Sequence, residues 1–176
     1  MKKAAFLDRD GVINRKAPEG QYVTRWADME FLPGSSEAIR LLNDAGFLVI
    51  VVSNQRCVAK GLITTEDLES MHVRMCREFH TAGANIDAVY YCPHDNHPPC
   101  GCRKPQPGML LDAARAHDVE LSVSWMIGDS ARDVQAGRSA GCKTAQVVVD
   151  AQSADGCADL VATSLLDATQ KILQVR

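Results

Sequence analysis

Short apolar runs recur along the chain, each bounded by turn-forming or charged residues, at positions 4–7, 47–52, 86–91, 123–127 and 144–149, with a shorter one at 160–162. Runs of this length, continuous rather than alternating, read as strands buried on both faces. Between them apolar residues recur at helical spacing. Pro33-Gly34 opens a helix carrying Ala38, Ile39, Leu41, Leu42 and Ala45, and Gly46 is its stop. Thr64 or Thr65 caps a helix over residues 66–81, with Leu68, Met71, Val73 and Phe79 among its apolar positions. Helices follow over residues 108–117, over 131–140 (stopped by Gly141) and over about 164–173. Strands alternating with helices predict an α/β fold, a doubly wound parallel sheet in one domain over residues 1–176. Two stretches break the alternation. Residues 15–30, with Pro18 and Gly20, read as a loop or flap over the end of the first strand, and residues 92–107 hold five of the seven prolines and read as an inserted loop.

The same alternation places the chemistry, because ligands of open parallel sheets gather at the carboxyl ends of the strands. The first run ends in Asp8-Arg9-Asp10-Gly11. Residues i and i+2 of a strand face the same way, so Asp8 and Asp10 are expected in one cleft and Arg9 elsewhere, while Gly11 lets the chain turn away. Two such carboxylates repel unless a cation lies between them, and a hard oxygen site suits Mg²⁺. The second run ends in Ser53-Asn54-Gln55, the fourth leads into Asp129, and Lys104 precedes a helix on the same edge. Singly, Ser53 could cap a strand, Lys104 could be solvated surface, Asp129 could cap a helix, and Asp8 and Asp10 could be surface acids. Together they suit phosphoryl transfer. Asp8, Asp129 and a main-chain carbonyl can hold Mg²⁺, while Lys104 and the Ser53 hydroxyl, with Asn54 and Gln55 beside them, hold phosphate oxygens. Asp8 then serves as nucleophile, forming an aspartyl-phosphate, and Asp10 protonates the leaving oxygen and later activates water.

Composition narrows the class. Of 176 residues, 46% are hydrophobic and 23% charged, and the net charge of -3 offers no basic footprint for nucleic acid. No run approaches the roughly 20 apolar residues of a membrane span, and Asp8, Arg9 and Asp10 interrupt any signal-peptide core after Lys2 and Lys3. A cytoplasmic monomer acting on a small molecule is expected. In a reducing compartment seven cysteines are thiols or metal ligands rather than a disulfide framework. Cys92, His94, Cys100 and Cys102 offer three thiols and an imidazole, a closed tetrahedral Zn²⁺ set with no open position, hence structural. Such a site staples a proline-rich loop that cannot build its own core. His97 is a competing ligand, and Cys57, Cys76, Cys142 and Cys157 read as buried or incidental thiols. Arg103 and Lys104 follow the last ligand directly, so the metal would aim them.

The motifs D-R-D-G-V-I-N from Asp8, S-N-Q from Ser53, C-R-K-P around Lys104 and G-D-S-A-R-D around Asp129 resemble those of the haloacid dehalogenase-like (HAD) phosphatases, over essentially the whole chain. The resemblance implies a Rossmann-like HAD core in which Asp8 is the nucleophile, Asp10 is the acid/base with its carbonyl on Mg²⁺, Asp129 is a Mg²⁺ ligand and Asp133 is a supporting acid. Only 50 residues separate Ser53 from Lys104, and helix, strand and loop use them, so no separate cap domain fits. The zinc loop is similar to that of two related families, the D-glycero-D-manno-heptose 1,7-bisphosphate 7-phosphatases and the histidinol-phosphate phosphatases. The run C-R-K-P-Q-P-G-M-L-L and the V-A-K-G from Val58 look more like the heptose family. Arg56-Cys57 departs from its usual small pair, Lys60 from its arginine and Ser130 from a common lysine, while the short loop between His94 and Cys100 is closer to the histidinol type. The implied substrate is a sugar bisphosphate of heptose and lipopolysaccharide biosynthesis, with Arg56, Lys60 and Arg103 around its distal phosphate. A non-catalytic zinc-stapled binding module is the rival from another class; the intact Asp8, Asp10, Lys104 and Asp129 argue against it.

Overall fold

The apolar runs become strands in a computed structural model that describes residues 1–148 and 157–175. They are β1 (Lys3–Leu7), β2 (Phe47–Asn54), β3 (Ala88–Cys92), β4 (Trp125–Gly128), β5 (Lys143–Val147) and β6 (Leu160–Ala162). All pair in parallel, in the order β3-β2-β1-β4-β5-β6. The chain therefore winds outward from β1 in one direction and then returns beside β1 to wind in the other. Leu7 of β1 lies opposite Val51 of β2 and Ile127 of β4. A crevice opens where the winding reverses, at the carboxyl ends of β1 and β4.

Both faces of the sheet are covered, which explains the continuous apolar runs. Leu7, Val49, Val51 and Ile127 pack with residues of α1 (Ser35–Asp44), α2 (Thr65–Thr81) and α5 (Leu165–Gln174). Their neighbours Phe6, Ile50, Val52 and Met126 point the other way, onto α3 (Gly108–His117) and α4 (Ala131–Ala140). Each large aliphatic side chain so buried contributes roughly 1.5–3 kcal/mol.

Two strand starts and one helix position differ from expectation. Residues 121–123 form a 3-10 turn and Val123 is exposed; β4 starts later because Ser124 leaves the strand to accept the Ala4 amide proton and donate to the Glu120 carbonyl. β3 begins at Ala88, since the Asp87 carboxylate accepts from the Val49 amide in place of a ladder contact. Val73 is 70% exposed; it stands two residues from both Met71 and Met75, about 200° around the helix from each, so burying those two turns it to solvent. The expected end of the fifth strand at Val149 lies outside the described residues.

The two irregular stretches are loops of different kinds. Loop 15–30 contains a 3-10 turn at Trp26–Asp28, and its Val23 and Met29 join Cys57, Ile63, Leu68 and Met71 in a small apolar cluster. The flap is thus anchored on the start of α2. Residues 93–107 contain no helix or strand. Among the described residues no helix is long and apolar enough to cross a membrane.

Candidate active site

At the end of β1 the backbone of Gly11 takes φ +95°, a left-handed value that favours glycine. A Cβ there would sit 2.4 Å from Asp129 Oδ2, so glycine is also what lets the β1 and β4 loops approach. Similarly, a Cβ on Gly128 would lie 2.1 Å from Asp133 Cβ, and its absence allows the first turn of α4 to close on β4. Ser130, not Asp129, caps α4: its hydroxyl and amide donate to Asp133 Oδ2 at 2.6 and 3.0 Å. Asp129 is left to the crevice. One oxygen from each of Asp8, Asp129 and Asp133 lies within 4.8 Å of the others, close enough to share one cation.

Lys104 reaches this group from the proline-rich loop and is almost completely buried. Its ammonium donates to Asp8 Oδ1 at 2.8 Å and to the Val52 carbonyl at 2.7 Å, and pairs with Asp133 Oδ1 at 2.6 Å. Asn54 holds it there: the Asn54 amide donates to the Lys104 carbonyl and accepts the Lys104 N–H, both at 3.0 Å. Burial works against the Lys104 charge, but Asp133 and Asp8 outweigh it and push its pKa up. Burial raises the Asp8 carboxyl to about 7, against the lowering pull of Lys104. Burial also acts to raise Asp133, yet Lys104 and Ser130 bring it below the usual carboxylate range.

Asp8 and Asp10 share the cleft as expected, and Arg9 does not line it. Arg9 turns instead into the interior and folds back on Asp10. Its Nη2 donates to both Asp10 oxygens at 3.1 and 3.0 Å, and its Nε donates to Oδ1 at 3.2 Å. Asn14 donates to Asp10 Oδ1 at 2.9 Å and Gln55 to Oδ2 at 3.0 Å. Burial would raise Asp10, but Arg9, Asn14 and Gln55 together hold it below its ordinary value, so the carboxylate rests ionised. Gln55 also donates to the Ser53 hydroxyl at 2.7 Å.

The cleft measures about 440 Å³, and every catalytic, phosphate-binding and Mg²⁺-ligating residue selected from sequence lines it except Lys60. The Lys60 ammonium lies instead over the Tyr22 ring, 5.7 Å from its centroid. Arg56 lines the cleft but is engaged by Asp95 at 2.6 Å, and Arg103 donates to Asn96 Oδ1 at 2.9 Å. Two cations that sequence reasoning missed complete the wall, Lys16 from the flap and Arg132 from α4. Lys16 donates to Asp129 Oδ2 at 2.7 Å. Nothing in the spacing of the flap distinguishes Lys16 from its neighbours. Arg132 carried a usable signal, since it sits one residue before Asp133 at a strand's carboxyl end.

At the other end of the loop, Cys92, the last residue of β3, meets His94, Cys100 and Cys102. The Cys102 sulfur is 3.2 Å from Cys92 Sγ, 3.5 Å from Cys100 Sγ and 3.3 Å from His94 Nδ1, while Cys92 is 3.6 Å from both Cys100 and His94. A tetrahedral ion with ordinary Zn–S and Zn–N bonds has ligand–ligand edges of about 3.4–3.8 Å. Three of the measured edges, 3.5, 3.6 and 3.6 Å, fall in that range and the two shorter ones, 3.2 and 3.3 Å, lie just under it, so the four atoms nearly outline the site of such an ion, and His97 is not among them.

Fold and crevice define a hydrolase of the HAD-like class, and comparison with known proteins agrees. A HAD-hydrolase-like family model matches residues 101–168. The chain is 43% identical over 147 residues to the D-glycero-beta-D-manno-heptose-1,7-bisphosphate 7-phosphatase of Rhodopseudomonas palustris, covering 80% of each chain. It is 41% identical to the enzyme of that name from Bordetella bronchiseptica, over 80% of this chain and 77% of the other. A crystal structure of the D,D-heptose 1,7-bisphosphate phosphatase from B. bronchiseptica, complexed with magnesium and phosphate, matches with a TM-score of 0.87, 35% identity and 98% of both chains covered. The chain belongs to the family of D-glycero-D-manno-heptose-1,7-bisphosphate 7-phosphatases within the HAD-like hydrolases, and it is a phosphatase.

Proposed function

We propose that this chain removes the 7-phosphate of D-glycero-D-manno-heptose 1,7-bisphosphate through an aspartyl-phosphate on Asp8. The observation that carries the reading is the Asp8 carboxylate, lodged against Lys104 at the base of a polar cleft, within reach of a cation shared with Asp129. Asp8 attacks phosphorus in line with the ester oxygen. Asp10 gives that oxygen its proton and then takes one from the water that attacks the phosphoenzyme. Lys104, the Ser53 hydroxyl and neighbouring main-chain amides hold the transferring oxygens, and Lys104 is fixed for that task by Asn54 and Asp133. Asp8, Asp129 and the carbonyl of Asp10 would hold Mg²⁺, which when bound offsets the negative charge of carboxylate and phosphate. Arg9, Asn14 and Gln55 favour the ionised Asp10 of the second step, so the first step calls for a proton gained as the dianion enters.

Lys16, Arg103 and Arg132 line the cleft as partners for a second phosphate. Histidinol phosphate would bring an ammonium to the same cations. Phosphate-release kinetics should therefore give at least about tenfold higher kcat/KM for the heptose bisphosphate, the worth of one charge-assisted pair. A preference for histidinol phosphate would overturn the substrate and leave the phosphatase.

Mg²⁺ affinity should depend on pH with a defined sign. The cation needs an ionised Asp8, whose carboxyl is raised to about 7 when no metal competes. Below that value a proton must leave, so apparent affinity rises up to about tenfold per pH unit, then levels off above it. Calorimetric titration of metal-free protein from pH 5.5 to 8.5 measures this; a flat profile would remove Asp8 from the ligand set.

We also infer that Cys92, His94, Cys100 and Cys102 bind Zn²⁺ and keep the loop shaped. Protein prepared without added metal should contain about one zinc per chain by elemental analysis. Cys102→Ser should lose it, with activity falling through displaced Arg103 and Lys104. Zinc-free protein with all three thiols freely reactive would refute the site.

A further inference from the structure

Arg9 is the largest completely buried side chain in the described structure, and it is charged. A buried guanidinium needs a counter-ion and acceptors for its donors. Asp10 supplies the charge and three of the contacts, and Gln55 Oε1 accepts from Nη2 at 3.3 Å. The remaining nitrogen, Nη1, lies 3.1 Å from Nε2 of His72, on the buried face of α2. Arginine can only donate, so His72 Nε2 must be the acceptor and the ring must be neutral. Burial and the adjacent Arg9 charge push its pKa down to about 3, in keeping with that tautomer. The imidazole is itself set against the Tyr91 ring, with centroids 5.5 Å apart.

We propose that His72 is a positioning residue for the phosphatase reaction: by accepting from Nη1 it fixes the Arg9 fork, and the fork holds the Asp10 carboxylate at the cleft. A buried fork with one free arm has no water to turn to, so it would swing toward other acceptors and carry Asp10 with it. α2 thereby supplies one end of a His72–Arg9–Asp10 chain although none of its residues lines the cleft. The inference rests on Asp10 being the acid/base, and the test separates the two.

The variants are His72→Leu, His72→Gln and Asp10→Asn, assayed by phosphate release from the heptose bisphosphate. His72→Leu should lower kcat by about 10- to 100-fold, the usual effect of a displaced reacting group, with KM within about twofold. His72→Gln presents an amide oxygen to Nη1 and should recover kcat to within about threefold of wild type. A packing role alone would change the melting temperature and leave kcat of the folded protein intact. Wild-type kcat in His72→Leu beside an inactive Asp10→Asn would overturn the proposal, as would His72→Gln as slow as His72→Leu. Normal turnover by Asp10→Asn would instead remove the acid/base reading, and this inference with it. Should His72→Leu fail to fold, His72→Phe carries the same test: it keeps a ring against Tyr91 and offers Nη1 no acceptor, and must show the same fall in kcat at constant KM.

Discussion

Asp8→Asn is expected to lower turnover by on the order of 10⁴-fold or more, as for nucleophiles that act within a unit. An amide neither attacks phosphorus usefully nor brings a full charge to a cation. The same change should not weaken the fold, and this makes the result interpretable. Asp8 is buried with its carboxyl raised to about 7 from an ordinary 3.8. A carboxyl raised on folding takes up protons more readily in the folded state. The protein is therefore relatively most stable below the unfolded value, and that advantage fades as pH rises through about 7. A neutral amide escapes the loss, so in chelator at pH 8 the variant should melt no lower than wild type. Lys104 keeps Asp133 as its partner. Near-normal turnover by pure Asp8→Asn would remove Asp8 as the nucleophile.

Lys104→Met should be costly in both respects. The side chain is similar in length, so packing is nearly kept, but two buried carboxylates lose the one ammonium between them. Breaking one side of a buried pair typically costs about 3–5 kcal/mol. Urea unfolding of metal-free protein near pH 8 should show a loss of this size. The loss should shrink toward pH 5, because protonating the stranded acids removes the buried charge. Mg²⁺ should restore part of it by supplying another cation. Turnover should fall by about 10²–10³-fold, the effect of removing one preorganised donor from a transferring oxygen. Unchanged stability would mean that the Asp8–Lys104–Asp133 chain is not the electrostatic centre of the crevice.

The sheet and its catalytic edge were legible because both depend on local pattern. Asp8, Ser53 and Asp129 each follow an apolar run, and a run buried on both faces can shed a polar group only at its end. The four zinc-type ligands were legible for a similar reason, since three of them lie within nine residues on one loop, next to the last residue of β3. Contacts between distant segments were not. Asn54 lines the cleft as expected, but its clamp on the Lys104 backbone has no trace in the sequence. Lys60, expected at the cleft, lies on Tyr22, while Lys16 comes down from the flap onto Asp129. Long cationic side chains choose partners by the fields and acceptors that tertiary structure brings within reach, and periodicity carries no record of those. Arg9 is the plainest case. The alternation of a strand turns it away from the cleft, as the sequence by itself determined. That it then meets His72, 63 residues along the chain, and returns its fork to Asp10 was decided by the packing of α2 against the end of β1, where a buried charge has no water to satisfy it.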